Sequence, residues 1–284
     1  MSAQPELCSD ARQEPLPGTA KPGQLFVALE HPTGWGHDIL DGHCFGDELT
    51  AQLKAYTKQH NVQLQLIRKP GREGQEITRR TVFIADVHGR IRTTSVCRPE
   101  ELLDIDPRSE VGQVVDKPVL LVCTHGKRDQ CCAIKGRPLA AYLAAQFSDG
   151  TVWESSHTKG HRFAPSIIVL PWGYSFGRLN ESAAADLVRH FQRGELFLPG
   201  NRGRACWNPR GQVAELAVAA QLPGVRAGQL LIDAPAEGPV TVRSGERVWR
   251  VDLEQRAVEG VISSCGDAPK TGKAWVAVGV TPVE

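Results

Sequence analysis

Two short segments of the chain carry side chains suited to a soft or borderline metal. Cys123-Thr-His-Gly-Lys-Arg-Asp-Gln ends in the adjacent pair Cys131-Cys132, and His157-Thr-Lys-Gly-His161 follows. Thiolates and imidazoles bind zinc, copper and iron, and two of each complete a four-ligand site. Taken singly, each segment has an ordinary reading, as structural thiols or an incidental histidine pair. Both occur just after apolar strand-like runs, PVLLVCT (118–124) and TVWES (151–155), which puts all these side chains at the same strand ends. Zinc-finger cysteine pairs lie about two to four residues apart. The longer interval here does not exclude zinc chemically, but it suits a larger group bridging two loops, a [2Fe–2S] cluster.

The elements that must position these residues follow from hydrophobic periodicity. Residues 24–30 and 62–69 read as strands, and Asp47 to Gln59 reads as a helix with Leu49, Leu53 and Tyr56 on one face. Residues 81–87 and 90–96 flank a His88-Gly89 turn, and Pro99 to Leu103 reads as a short helix. Downstream come strand 118–124, a helix from Pro138 to Phe147, strand 151–155, the pair 166–171 and 174–179, and a helix from Glu181 to Gln192. Strand, helix, strand, strand, strand, helix is the order of a thioredoxin-like fold. The first hundred residues give the same order, so a second thioredoxin-like unit without a metal site is expected there. After the Gly/Pro-rich stretch 197–211 come a helix (Gln212 to Ala220) and four short strands, with Ser263-Ser264-Cys265-Gly266 as a turn. The expected organisation is α/β with mixed sheets in three parts: 1–112, 113–197 with the metal site, and a small α+β part, 198–284.

Composition narrows the function classes. A net charge of +1 gives no electrostatic case for nucleic acid or a membrane surface. No apolar run approaches the length of a membrane span, and residues 1–24 contain no apolar signal core, so a cytoplasmic protein is expected. In a reducing compartment the eight cysteines serve as metal ligands or free thiols rather than as staples.

The chain resembles the sucrase/ferredoxin-like family from about residue 8 to 195. The motifs that carry the resemblance are CTHGKRDQCCAIKGRPL and VWESSHTKGHRFAPSIIVLPWGYSFGRL. Upstream, Pro17-Gly18-Thr19-Ala20, Glu30-His31-Pro32-Thr33-Gly34-Trp35-Gly36 and Leu66-Ile67-Arg68-Lys69-Pro70-Gly71-Arg72 stand in the same order. The metal segment is also similar to thioredoxin-like [2Fe–2S] ferredoxins, whose second cysteine opens a Cys-Ala-x-x-Gly-like turn and whose last two are spaced Cys-x-x-x-Cys. That resemblance implies Cys123, Cys132, His157 and His161 as the ligands of a [2Fe–2S] cluster, with Cys131 a neighbour rather than a ligand. No carboxylate pair reads as a glycosidase site, so "sucrase" finds no counterpart in the residues.

Two neutral imidazoles in place of two thiolates imply a potential above that of an all-cysteine ferredoxin, and a ring nitrogen able to carry a proton. The expected function is one-electron transfer or redox sensing, with a reductase or an acceptor as protein partner. Two other classes compete. One is a thiol–disulfide oxidoreductase using Cys131 and Cys132 with Cys123; the other is an interaction protein with a structural zinc. Lys127, Arg128, Lys159 and Arg162 are expected to place positive charge near the centre, and Asp129 to anchor its loop. Trp35, Trp172 and Tyr174 read as packing. His31, His37, His43 and Cys44 read as a polar loop docking on the other unit, and Arg68 with Arg72 as a solvated basic turn.

Overall fold

A computed structural model describes residues 7–283. The first part of the chain forms β1 (Leu25–Glu30), α1 (Gly46–His60), β2 (Val62–Arg68), β3 (Arg80–Asp86), β4 (Arg90–Val96) and the short β5 (Gln113–Val114). The middle forms β6 (Val119–Cys123), α2 (Gln130–Gln146), β7 (Val152–Ser155), β8 (Ser166–Leu170), β9 (Tyr174–Gly177), α3 (Glu181–Gln192) and β10 (Asn201–Arg204). The last part forms α4 (Pro209–Ala219), β11 (Leu231–Asp233), β12 (Val240–Ser244), β13 (Arg247–Val261) and β14 (Lys270–Val283). The class is the expected one, α/β with mixed sheets.

Local signals account for the helices. On α1, Leu49, Leu53 and Tyr56 are buried one or two turns apart, and Asn61 ends the helix in the left-handed conformation with its N–H on Thr57 and Lys58 carbonyls. Asn180 caps α3 by accepting from the Ala183 N–H, and Ala184, Leu187, Val188 and Phe191 make its buried face. One start differs from expectation. Helix α2 begins at Gln130, not at Pro138, because Asp129 caps it by accepting from the Cys131 N–H. Pro138 lies inside the helix, and Cys131 and Cys132 sit in its first turn.

Ten strands form one sheet in the order β10-β9-β8-β6-β7-β2-β1-β3-β4-β5. An internal two-fold pattern is visible in it. β1 runs parallel to β2 and antiparallel to β3, which pairs with β4. β6 runs parallel to β7 and antiparallel to β8, which pairs with β9. Each half therefore has the second-first-third-fourth strand order. The halves meet at β2 and β7, paired antiparallel through Ile67↔Ser155 and Arg68↔Glu154.

Helix α1 covers one face of the first half, and α2 and α3 cover one face of the second. The helix-free faces share a third core containing Phe26, Ala28, Phe83, Leu121, Trp153 and Ile168. The sheet thus folds over at the β2–β7 junction, and its two bare faces bury each other. Gly173, between β8 and β9, sits where the two faces come close: φ is +71°, and a Cβ would lie 3.0 Å from Val87 and 3.2 Å from Phe26.

The anticipated part boundaries are bridged by hydrogen bonds and by a shared core. β5 pairs with β4 just after residue 112, and β10 pairs with β9 beyond residue 197. Helix α4 lies between the large sheet and a second sheet, β11-β12-β13-β14, and joins both in one core. β13 and β14 are much longer than their apolar segments suggest. Residues 254–260 are mostly exposed, so an apolar pattern could not announce them as strand. This ribbon carries its tip, Ser263 to Gly266, back to the cysteine loop. Among the described residues no helix is long and apolar enough to cross a membrane.

Candidate metal centre

Cys123 ends β6 and is fully buried, and its position at the strand end turns its sulfur to the edge of the core. Cys132, buried in the first turn of α2, faces it. His157 follows β7, and its N–H donates to Nδ1 of the buried His125 at 3.2 Å. Cys123, Cys132 and His157 each present a ligand atom within 4.8 Å of the others. His161 opens a single 3-10 turn, His161–Phe163, rather than completing an α-helical turn with His157. It still lies beside His157, Nδ1 to Nε2 at 3.3 Å, with ring centroids 5.0 Å apart. The fold therefore gathers the four expected residues at one end of β6 and β7.

Tautomers follow from the partners. His161 Nε2 donates to the Ser263 carbonyl at 2.5 Å, which leaves the lone pair on Nδ1 facing inward. A metal-binding histidine commonly gives its other N–H to a carbonyl in this way. His157 Nδ1 is buried with no hydrogen-bond partner. Burial, and His157 alongside, hold His161 below the usual imidazole range, so it is neutral and able to ligate near pH 7. Burial disfavours a Cys123 thiolate, but the close approach of Cys132 and His157 outweighs it and holds Cys123 well below the usual thiol range. Cys132, donating to Cys123 and buried, is pushed up. Two sulfurs, two imidazoles and a buried, unpartnered ring nitrogen suit a thiophilic metal group, iron–sulfur or zinc.

Other residues hold this geometry, and sequence reading had given several of them no role. His125 spans the two halves: Nε2 donates to the Gly36 carbonyl at 2.6 Å while Nδ1 receives the His157 N–H. The loop containing Gly36 also reaches the cysteine loop through His37–Arg128 (3.2 Å) and His43–Lys127 (3.4 Å). Arg202 is fully buried behind the histidine loop and donates to the Lys159 carbonyl, Ser166 Oγ and Thr19. Arg202 is thus a buried cation behind the loop, whereas Arg162 pairs with Glu14 of the N-terminal arm at 2.5 Å. Arg68 is a further correction. It is not a solvated turn residue: it is 1% exposed, lies against Trp35, and donates to Glu154 at 2.7 Å. The signal available in the sequence was its place as the last residue of an apolar strand, one before Lys69-Pro70-Gly71.

The family model described as Sucrase/ferredoxin-like matches residues 16–203, well over half of the chain, and that segment contains all four residues of the centre. Neither the search of curated proteins nor that of solved structures returned a match.

Proposed function

Because the chain belongs to the sucrase/ferredoxin-like family, we propose that it is an electron-transfer protein with a [2Fe–2S] cluster held by Cys123, Cys132, His157 and His161. The observation that carries this reading is the meeting of the buried Cys123, Cys132 and His157 at the ends of β6 and β7, with His161 alongside His157. The cluster, when bound, supplies reversible one-electron chemistry.

The protein's own residues have distinct tasks in this reading. Cys123 and Cys132 provide the thiolates, and the amides of the first turn of α2 favour negative charge on them. His157 and His161 provide uncharged nitrogens. Ser263 fixes the His161 ring by accepting from Nε2, and that N–H is the proton which can leave or return as the centre changes charge. The ring is only slightly exposed, so water reaches it from one side. Arg202 offsets thiolate charge from behind without titrating near neutrality. Lys127 and Arg128, on the exposed rim, face a redox partner protein with a complementary acidic patch.

The test is chemical and spectroscopic. Anaerobically purified protein should be red-brown, with equal amounts of iron and acid-labile sulfide. Its potential should fall as pH rises, and His161→Cys should lower the potential and flatten that slope. A colourless protein whose iron stays negligible after reconstitution with iron and sulfide would sink the reading.

A further inference from the structure

Cys131, beside the centre in sequence, takes no part in it. Successive residues of an α-helix point about 100° apart, so Cys131 and Cys132 face different ways. Cys132 faces Cys123, and Cys131 meets Cys8 of the N-terminal arm and Cys265 at the tip of the β13–β14 ribbon. The three sulfurs form a closed triangle: 3.5 Å for Cys8–Cys131, 3.1 Å for Cys131–Cys265 and 3.6 Å for Cys265–Cys8. The Asp129 carboxylate closes the figure, 3.2 Å from Cys265 Sγ and 3.8 Å from Cys8 Sγ. All four donor atoms lie within 4.8 Å of one another.

These edges are those of a small tetrahedron. Zinc–sulfur bonds of about 2.3 Å at the tetrahedral angle put sulfurs roughly 3.8 Å apart, and a carboxylate oxygen slightly closer. Four donors around one point suit a single ion, not a cluster that spreads its ligands over several irons. Three thiolates exclude magnesium and calcium, which take oxygen ligands. Four protein ligands leave no open position, the hallmark of a structural site. We propose that Cys8, Cys131, Cys265 and Asp129 hold one structural zinc ion.

Backbone groups around the four residues fit this role. The Cys8 N–H donates to Cys265 Sγ at 3.4 Å, and the N–H groups of Cys131 and Cys265 donate to the two Asp129 oxygens at 2.9 and 3.0 Å. Those bonds orient the carboxylate and leave it lone pairs for a metal. Cys8 and Cys265 lie outside the segment matched by the family model, so membership of the family does not itself imply this site. The ion would clamp the arm and the ribbon tip onto α2. Because Ser263 lies two residues before Cys265, the clamp also sets the carbonyl that holds His161.

Elemental analysis and zinc-edge X-ray absorption of the intact chain, purified with reduced thiols and without chelators, test the proposal. The expected result is about one zinc per chain with three sulfur neighbours near 2.3 Å and one oxygen near 2.0 Å. Cys265→Ala should lose the zinc while keeping its iron and sulfide. If that variant does not fold, Cys8→Ser supplies the same comparison. Absence of zinc, nitrogen in its coordination shell, zinc retained by Cys265→Ala, or a Cys131–Cys265 disulfide in its place would each overturn the proposal. Because the coordination shell tells the two sites apart, a protein with zinc in a three-sulfur, one-oxygen shell but no iron would support this site and count only against the electron-transfer reading.

Discussion

Arg202 carries the sharpest requirement of any single residue near the centre. A buried guanidinium must place its N–H donors on protein acceptors. Arg202 finds Thr19 Oγ1 at 3.0 Å, the Thr19 carbonyl, Ser166 Oγ at 3.3 Å and the Lys159 carbonyl at 3.3 Å. None of these partners is a carboxylate. Burial, with Arg162 nearby, pulls its pKa down to about 9, so it remains cationic at neutral pH. It thus joins Thr19 of the upstream Pro-Gly-Thr-Ala motif to the loop between His157 and His161. Arg202→Met should leave the Lys159 and Thr19 carbonyls without donors and cost about 3 kcal/mol. Amide exchange over residues 157–163 should rise as the histidine loop loosens. Arg202→Lys should recover only part, because an ammonium cannot span the same acceptors. Urea midpoints and exchange mass spectrometry check this; an Arg202→Met protein with unchanged midpoint and exchange would refute it.

At the scale of elements, the junction between β2 and β7 is the vulnerable point. Only two residue pairs join the strands there, and one of them is Arg68↔Glu154, where the side chains also bond at 2.7 Å. Glu154 further accepts from Thr124 Oγ1 at 3.0 Å, next to Cys123. Breaking a buried ion pair from one side costs about 3–5 kcal/mol when the remaining charge has no other partner, and Arg68 keeps only the half-exposed Glu73 at 2.9 Å, which puts the cost at about 3 kcal/mol. Glu154→Leu should therefore destabilise by roughly that amount, and Arg68→Met added to it should restore most of the loss. A double-mutant cycle in urea that shows simple additivity would remove the pair from this role. β2 and β7 were legible in the sequence, since each is an apolar run, and α3 was read from Glu181 to Gln192 because its apolar face is strict. The closeness of Cys123 and His157 was legible for the same reason, since Cys123 ends one such run and His157 comes two residues after another. What escaped was long-range. Asp129 as a cap was masked by Pro138, which resembles a first helical residue. Arg68 and Glu154 are adjacent only once two edge strands meet. Cys8, Cys131 and Cys265 are isolated in sequence, and no local pattern announces that a polar ribbon will carry Cys265 back to α2.

Across the whole molecule, cohesion between the large sheet and the C-terminal sheet runs through α4. Its residues Ala214 and Val218 share one core with Tyr174 and Phe176 of the large sheet and with Val240, Trp249 and Val251 of the small one. Within that apolar layer lies Glu215, fully buried, accepting from the Tyr174 hydroxyl at 2.7 Å. Burial raises its pKa from the usual 4.5 to about 7, although the bond from Tyr174 and the charge of Arg204 favour the carboxylate. Below pH 4.5 the group is protonated in both folded and unfolded chains. As pH rises from there, the unfolded chain releases its proton first and the folded chain retains it, so stability falls. The fall ends once the folded group ionises near pH 7, and it amounts to about 3 kcal/mol. Glu215→Gln keeps an acceptor for Tyr174 and has no proton to lose. Its stability relative to the unmodified protein should therefore climb between pH 5 and pH 7 and then level off. Subtracting the two urea-stability profiles cancels every other titrating group, and a difference that stays constant across this range would show that Glu215 is ionised in the folded protein throughout. The buried acid thus makes the attachment of the C-terminal sheet strongest in mild acid. That attachment anchors the ribbon whose tip supplies Ser263 to His161, so protection of His161 from exchange should weaken with rising pH in the unmodified protein and hold steady in Glu215→Gln.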